Sequence, residues 1–74
     1  MQLESASSLI REECRKTGQF IGTIDEVTKV SATTFSFLAV PYSEDCAKRG
    51  KCRRYRYYAT ILTNGQVDIF GGKE

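Results

Sequence analysis

An Asn-Gly pair at positions 64–65 stands between two runs of β-forming residues, and it constrains the fold more than any other feature of the chain. A two-residue type I′ turn needs both central residues at positive φ, which asparagine and glycine tolerate best. Such a pair flanked by apolar alternation is the strongest short-range hairpin signal. The run before it, Arg53 to Thr63, reads as the longest strand, and Gln66 to Phe70 reads as its return. With two residues in the turn, Leu62 opposes Val67, Thr60 opposes Ile69, Ile61 opposes Asp68 and Ala59 opposes Phe70. Tyr58, Thr60, Leu62, Val67 and Ile69 then share one face, and Tyr55, Tyr57, Ala59, Ile61 and Phe70 share the other.

The rest of the chain supplies partners for this ribbon. Leu3, Ala6, Leu9, Ile10 and Cys14 recur at spacings of three and four, which predicts an amphipathic helix over about Leu3–Thr17. Arg15 and Lys16 suit its C-terminal dipole, and Gly18 suits the residue after the cap. Gln19–Asp25 predicts a strand, and Val27–Val30 continues it beyond a bend or bulge at Asp25-Glu26. Ser31-Ala32-Thr33 reads as a turn. Thr34–Val40 is a strand with Phe35, Phe37 and Ala39 on one side, ended by Pro41 because proline cannot donate to a ladder. Tyr42–Lys51 reads as a polar loop and Gly71–Glu74 as a frayed tail.

These elements predict one α+β domain over residues 1–74, with an N-terminal helix packed on one face of a roughly four-stranded antiparallel sheet. A chain of 74 residues buries only about 60% of its unfolded surface, so self-association would relieve its marginal core. One narrow helical stripe covers only one side of the sheet. The smoother aliphatic set of Tyr58, Leu62, Val67 and Ile69 is the expected helix side. That leaves Tyr55, Tyr57, Ile61 and Phe70 as a candidate interface, most simply with a second copy of the chain.

Charge marks a second candidate surface. The net charge is only +2, yet six of the eleven basic residues, Lys48, Arg49, Lys51, Arg53, Arg54 and Arg56, fall within positions 48–56, where there is no acid. A basic edge of this kind attracts an acidic protein partner or a nucleic acid, whose phosphates add affinity through counterion release. Interleaved Tyr55, Tyr57 and Tyr58 also suit stacking on single-stranded bases. Strand alternation divides the patch, however, with Arg53, Tyr55 and Tyr57 on one side and Arg54, Arg56 and Tyr58 on the other. The plainer reading is a solvated edge whose arginine stems cover tyrosine rings and whose charge guards against aggregation.

Catalysis finds little support in this composition. There is no histidine, the commonest general base and the usual activator of serine or cysteine. Three cysteines without histidine fall short of a structural zinc set, so no metal is expected. No cofactor motif is present. Cys14 reads as a small apolar core residue. Cys46 and Cys52 could close a disulfide, but the expectation is a reduced pair in a cytoplasmic protein. That location follows from the lack of a secretory pattern and of any apolar run of the roughly 20 residues that cross a membrane.

Overall fold

The structure, a computed structural model, describes residues 2–71. Helix α1 spans Leu3–Thr17, followed by strands β1 (Phe20–Lys29) and β2 (Thr34–Pro41), a short helix α2 (Glu44–Arg49), and strands β3 (Tyr55–Ile61) and β4 (Val67–Gly71). The strands form one antiparallel sheet in the order β1-β2-β3-β4. The α+β architecture is therefore the expected one. Of the predicted tail, Gly71 belongs to β4, and the remaining three residues lie outside the described range.

Helix α1 ends as its sequence dictates. Gly18 adopts the left-handed conformation at φ 65°, and its N–H closes onto the Cys14 carbonyl at 3.0 Å. Ala6, Ile10 and Cys14 are buried, with Leu9 packed at the margin, while Leu3 at the first turn stays largely exposed. Across from them lie Ile24 of β1, Phe35, Phe37 and Ala39 of β2, and Ala59 and Ile61 of β3. An aromatic cluster closes one end of this core. Phe20 meets Tyr57 edge-on at 4.7 Å and Phe37 at 5.8 Å, and Phe37 stacks on Tyr57 at 5.9 Å.

The hairpin corrects the expected register. Ile61 pairs with Val67, Thr60 with Asp68, Ala59 with Ile69 and Tyr58 with Phe70. Gly65 is at φ 88°, but Asn64 is not among the residues at positive φ, so the turn is not type I′. The Gly65 N–H instead bonds the Leu62 carbonyl at 2.9 Å, and the Leu62 N–H bonds the Gln66 carbonyl at 2.8 Å. Thr63, Asn64 and Gly65 thus form a three-residue loop ending in a left-handed glycine, with the Asn64 side chain accepting from the Gln66 N–H at 3.0 Å. One extra loop residue turns all of β4 over. Val67 and Ile69 now join Ala59 and Ile61 under the helix, while Asp68 and Phe70 join Tyr58 and Thr60 on the other side. The two-residue register would have pressed the Asp68 carboxylate against the helix, and burial without a partner opposes that.

Strand β1, not β3, is the longest, and it is irregular as the Asp25-Glu26 step suggested. Between Ile21 and Asp25 it advances four residues while β2 advances two, and between Asp25 and Thr28 three against two. Gly22 at φ 73° and Glu26 at φ 52° absorb the excess. Arg11 of α1 donates to the carbonyl of Ile24 at 3.3 Å, tying the helix to this bulged stretch. An irregular edge is also a poor template for a further strand.

The loop expected over Tyr42–Lys51 contains α2. Its signals are present in the sequence at short range. The Ser43 side chain accepts from the Cys46 N–H at 3.1 Å, Glu44 and Asp45 occupy the first turn, Lys48 and Arg49 the last, and Gly50 caps it at φ 69°. Cys46 and Cys52 are joined as a disulfide, in place of the reduced pair expected, because the turn at Gly50 brings their Cα atoms within 4.5 Å.

Candidate interaction surfaces

The sheet face opposite α1 is built from alternate residues of all four strands. Its central row is Ser36, Tyr58 and Phe70, held side by side by the ladder. One row toward the end bearing α2 lie Asp25, Leu38 and Arg56, and beyond them Ile21 and Val40. One row the other way lie Thr34, Thr60 and Asp68. No second layer of the described residues packs on this face. Ile21, Leu38, Val40 and Tyr58 are half-buried, and Phe70 and Leu62 are exposed at 51% and 39%.

Arginines partly drape this surface. Arg54 pairs with Asp25 of β1 at 3.1 Å, bridging the strand β2 that lies between them. Arg56 donates to the Ser36 hydroxyl at 3.2 Å, which gives the buried serine a partner. Tyr58 and Phe70 stack at 5.7 Å with their planes 18° apart, and the Thr34 and Thr60 hydroxyls bond across the ladder at 3.2 Å. The face thus carries two arginines, Arg54 and Arg56, and two aspartates, Asp25 and Asp68, around an apolar and aromatic centre.

The four residues of the expected interface do not lie together. Phe70 is on the open face. Tyr55, Tyr57 and Ile61 are on the helix side, where Ile61 is buried and Tyr57 is part of the aromatic cluster. Burial, and secondarily the neighbouring Tyr55, push the Tyr57 hydroxyl above its usual pKa. Leu38 and Val40, together with Tyr58, which was expected beneath the helix, take their place. The signal that finds them is the burial of Phe35, Phe37 and Ala39, which leaves their strand neighbours on the opposite side.

The basic segment also divides. Lys48 and Arg49 lie on the last turn of α2, where Arg49 approaches Asp45 at 3.5 Å in an exposed pair. Lys51 and Arg53 line a cleft of about 340 Å³ with Ser43, Asp45 and Tyr55. Arg54 and Arg56 belong to the open face. The described residues hold no cluster of three or more metal-ligating side chains, and no helix among them is long and apolar enough to cross a membrane. A cleft of about 490 Å³ opens between α1 and β1, lined by Cys14, Phe20 and Ile24 together with Arg11 and Arg15. Burial pushes the Cys14 thiol up to about 11, with Glu13 adding to the shift and Arg11 opposing it. Cys14 is therefore an unreactive thiol at neutral pH.

Such a sheet, covered by a helix on one side and open on the other, places the chain in the class of small α+β domains with an antiparallel sheet. Comparison with protein families, with curated proteins and with solved structures gave no match, so no relative assigns a role to any of these residues.

Proposed function

We propose that the protein is a small binding module that self-associates through the open face of its sheet and presents the Lys48–Arg53 loop to an acidic partner. The observation that carries this reading is the uncovered face itself, with an apolar and aromatic centre and balanced charge. Exposed apolar surface of this kind is a usual mark of an interaction site, and a second copy of the chain would enlarge a core that is small for independent stability. No catalytic constellation contributes to this reading.

The balance of charge on this face favours a protein partner over a nucleic acid. Arg54 is neutralised by Asp25, and Arg56 shares the surface with Asp68. A phosphate backbone laid on equal numbers of arginines and aspartates gains little from counterion release. A protein surface with matching opposite charges gains from both. Lys48, Lys51 and Arg53 make no ion pair among the described residues, and they are the part of the basic segment suited to an acidic partner. The reading does not depend on compartment: a cytoplasmic setting would favour reduction of Cys46 and Cys52, which lie away from the open face.

Light scattering at moderate and high salt, with and without a single-stranded oligonucleotide, tests the reading. We expect twice the protomer mass at either salt and no added mass from the oligonucleotide. A monomer that acquires mass only with the oligonucleotide, and loses it as salt rises, would make the open face a nucleic-acid surface instead.

A further inference from the structure

We propose that the second copy sits on the open face about a two-fold axis lying along the Ser36–Tyr58–Phe70 row, so that Arg56 of each protomer meets Asp68 of the other. The proposal rests on the self-association reading and gives it a geometry.

The ladder supplies the placement. Arg56 lies one row to one side of the Tyr58–Phe70 row, and Asp68 lies one row to the other side on the neighbouring strand. Each row is two residues, about 6.8 Å along the strand, and neighbouring strands are about 4.8 Å apart. A two-fold axis along the central row exchanges the two flanking rows of the facing copies and leaves each strand over its own counterpart. Arg56 then stands over Thr60 of the other protomer, one strand away from that protomer's Asp68. Sheets pack about 10 Å apart, a gap that an arginine and an aspartate side chain reaching toward each other can close. Symmetry makes the contact twice, and Tyr58 and Phe70 meet their own copies on the axis.

The alternative two-fold axis, parallel to the strands between β2 and β3, is disfavoured by the same map. It would place Arg56 over Leu38 and Arg54 over Val40 of the other copy, where the acid one strand from Arg56 is the other copy's Asp25, already engaged by its own Arg54, so the guanidiniums would be buried against aliphatic side chains with no unpaired acid to meet. The chosen axis keeps Arg54 with Asp25 of its own protomer toward one end of the interface.

Charge exchange tests the geometry. Arg56 and Asp68 are both exposed, so Asp68→Arg and Arg56→Asp should each keep the parent's fold, as read by far-ultraviolet circular dichroism, with Arg56→Asp losing only the donor to Ser36, a loss that Arg56→Gln, a donor itself, controls for. Each alone should weaken the dimer at least tenfold in sedimentation equilibrium, because like charges then face one another. An equimolar mixture of the two variants should recover a heterodimer, since both facing pairs become opposite again, and the double variant should recover a homodimer. Arg56→Gln, which removes the charge without reversing it, should weaken the dimer less than Arg56→Asp. Single variants that dimerise like the parent, or a mixture that stays monomeric, would overturn this axis while leaving self-association standing. A monomeric parent would overturn both.

Discussion

Tyr57 and Tyr58 are consecutive residues of identical chemistry on opposite sides of β3, and truncating each in turn measures what the tertiary structure does to them. Tyr57 packs on Phe20 at 4.7 Å and on Phe37 at 5.9 Å beneath α1. Removing a packed aromatic side chain from a core costs about 3–5 kcal/mol, including the void it leaves. Tyr57 keeps some solvent exposure, which places Tyr57→Ala at the lower end, about 3 kcal/mol, of which its two ring contacts contribute roughly 0.5–1.5 kcal/mol each. Tyr58 has one aromatic neighbour, Phe70, and its other side faces solvent in the protomer. Tyr58→Ala should cost about 1 kcal/mol, close to one aromatic pair. A domain of this size has a total stability of roughly 4–11 kcal/mol, so the first substitution removes a large share of it and the second a small one. Urea denaturation followed by circular dichroism should show the contrast. With an m-value of about 1 kcal/mol/M for a small domain, the midpoint falls by about 3 M for Tyr57→Ala and about 1 M for Tyr58→Ala. Measurement at protein concentrations below the dimer dissociation constant isolates the protomer. Equal losses, or a larger loss at Tyr58, would refute the assignment of the two sheet faces.

Two further outcomes follow from the cysteines. The folded-state pKa of Cys14 is raised from its usual value near 9 to about 11, so the stability it contributes is complete below pH 9 and lost as pH rises through 11. The shift lowers stability over that range, with Tyr57 adding a loss of the same sign above its ordinary range. Urea midpoints at pH 8 and pH 10.5 should therefore differ in the parent and differ less in Cys14→Ala. Reduction of Cys46–Cys52 should lower stability by about 2 kcal/mol, the loop-closure value for a bridge between residues so close in sequence, and the Cys46→Ser/Cys52→Ser variant should show no response to reductant. Thermal melts with and without dithiothreitol read this directly.

Short-range patterns account for what could be read from the chain itself. The helix from Leu3 to Thr17, its glycine stop, the alternation of Phe35, Phe37 and Ala39, the bend near Asp25-Glu26 and the reversal at Asn64-Gly65 all depend on residues within a few positions of one another. Helix α2 was equally local, with Ser43 before it and Gly50 after it, but its six residues are shorter than the window over which helical periodicity shows. Strand alternation likewise separated Arg53 from Arg54 and Arg56, while the place of Lys48 and Arg49 on α2 was not part of that pattern.

Which face of the hairpin is covered was decided only by the tertiary structure. Asn64-Gly65 accommodates a two-residue loop or the end of a three-residue one, and the difference is a single residue that inverts β4. Helix α1 settles it, because only the longer loop brings Val67 and Ile69 beneath Ile10 while Asp68 keeps its water. The Arg54–Asp25 pair belongs to the same category. It joins groups whose separation depends on how β1, β2 and β3 are set side by side, and the chain's local periodicity has no information about that distance.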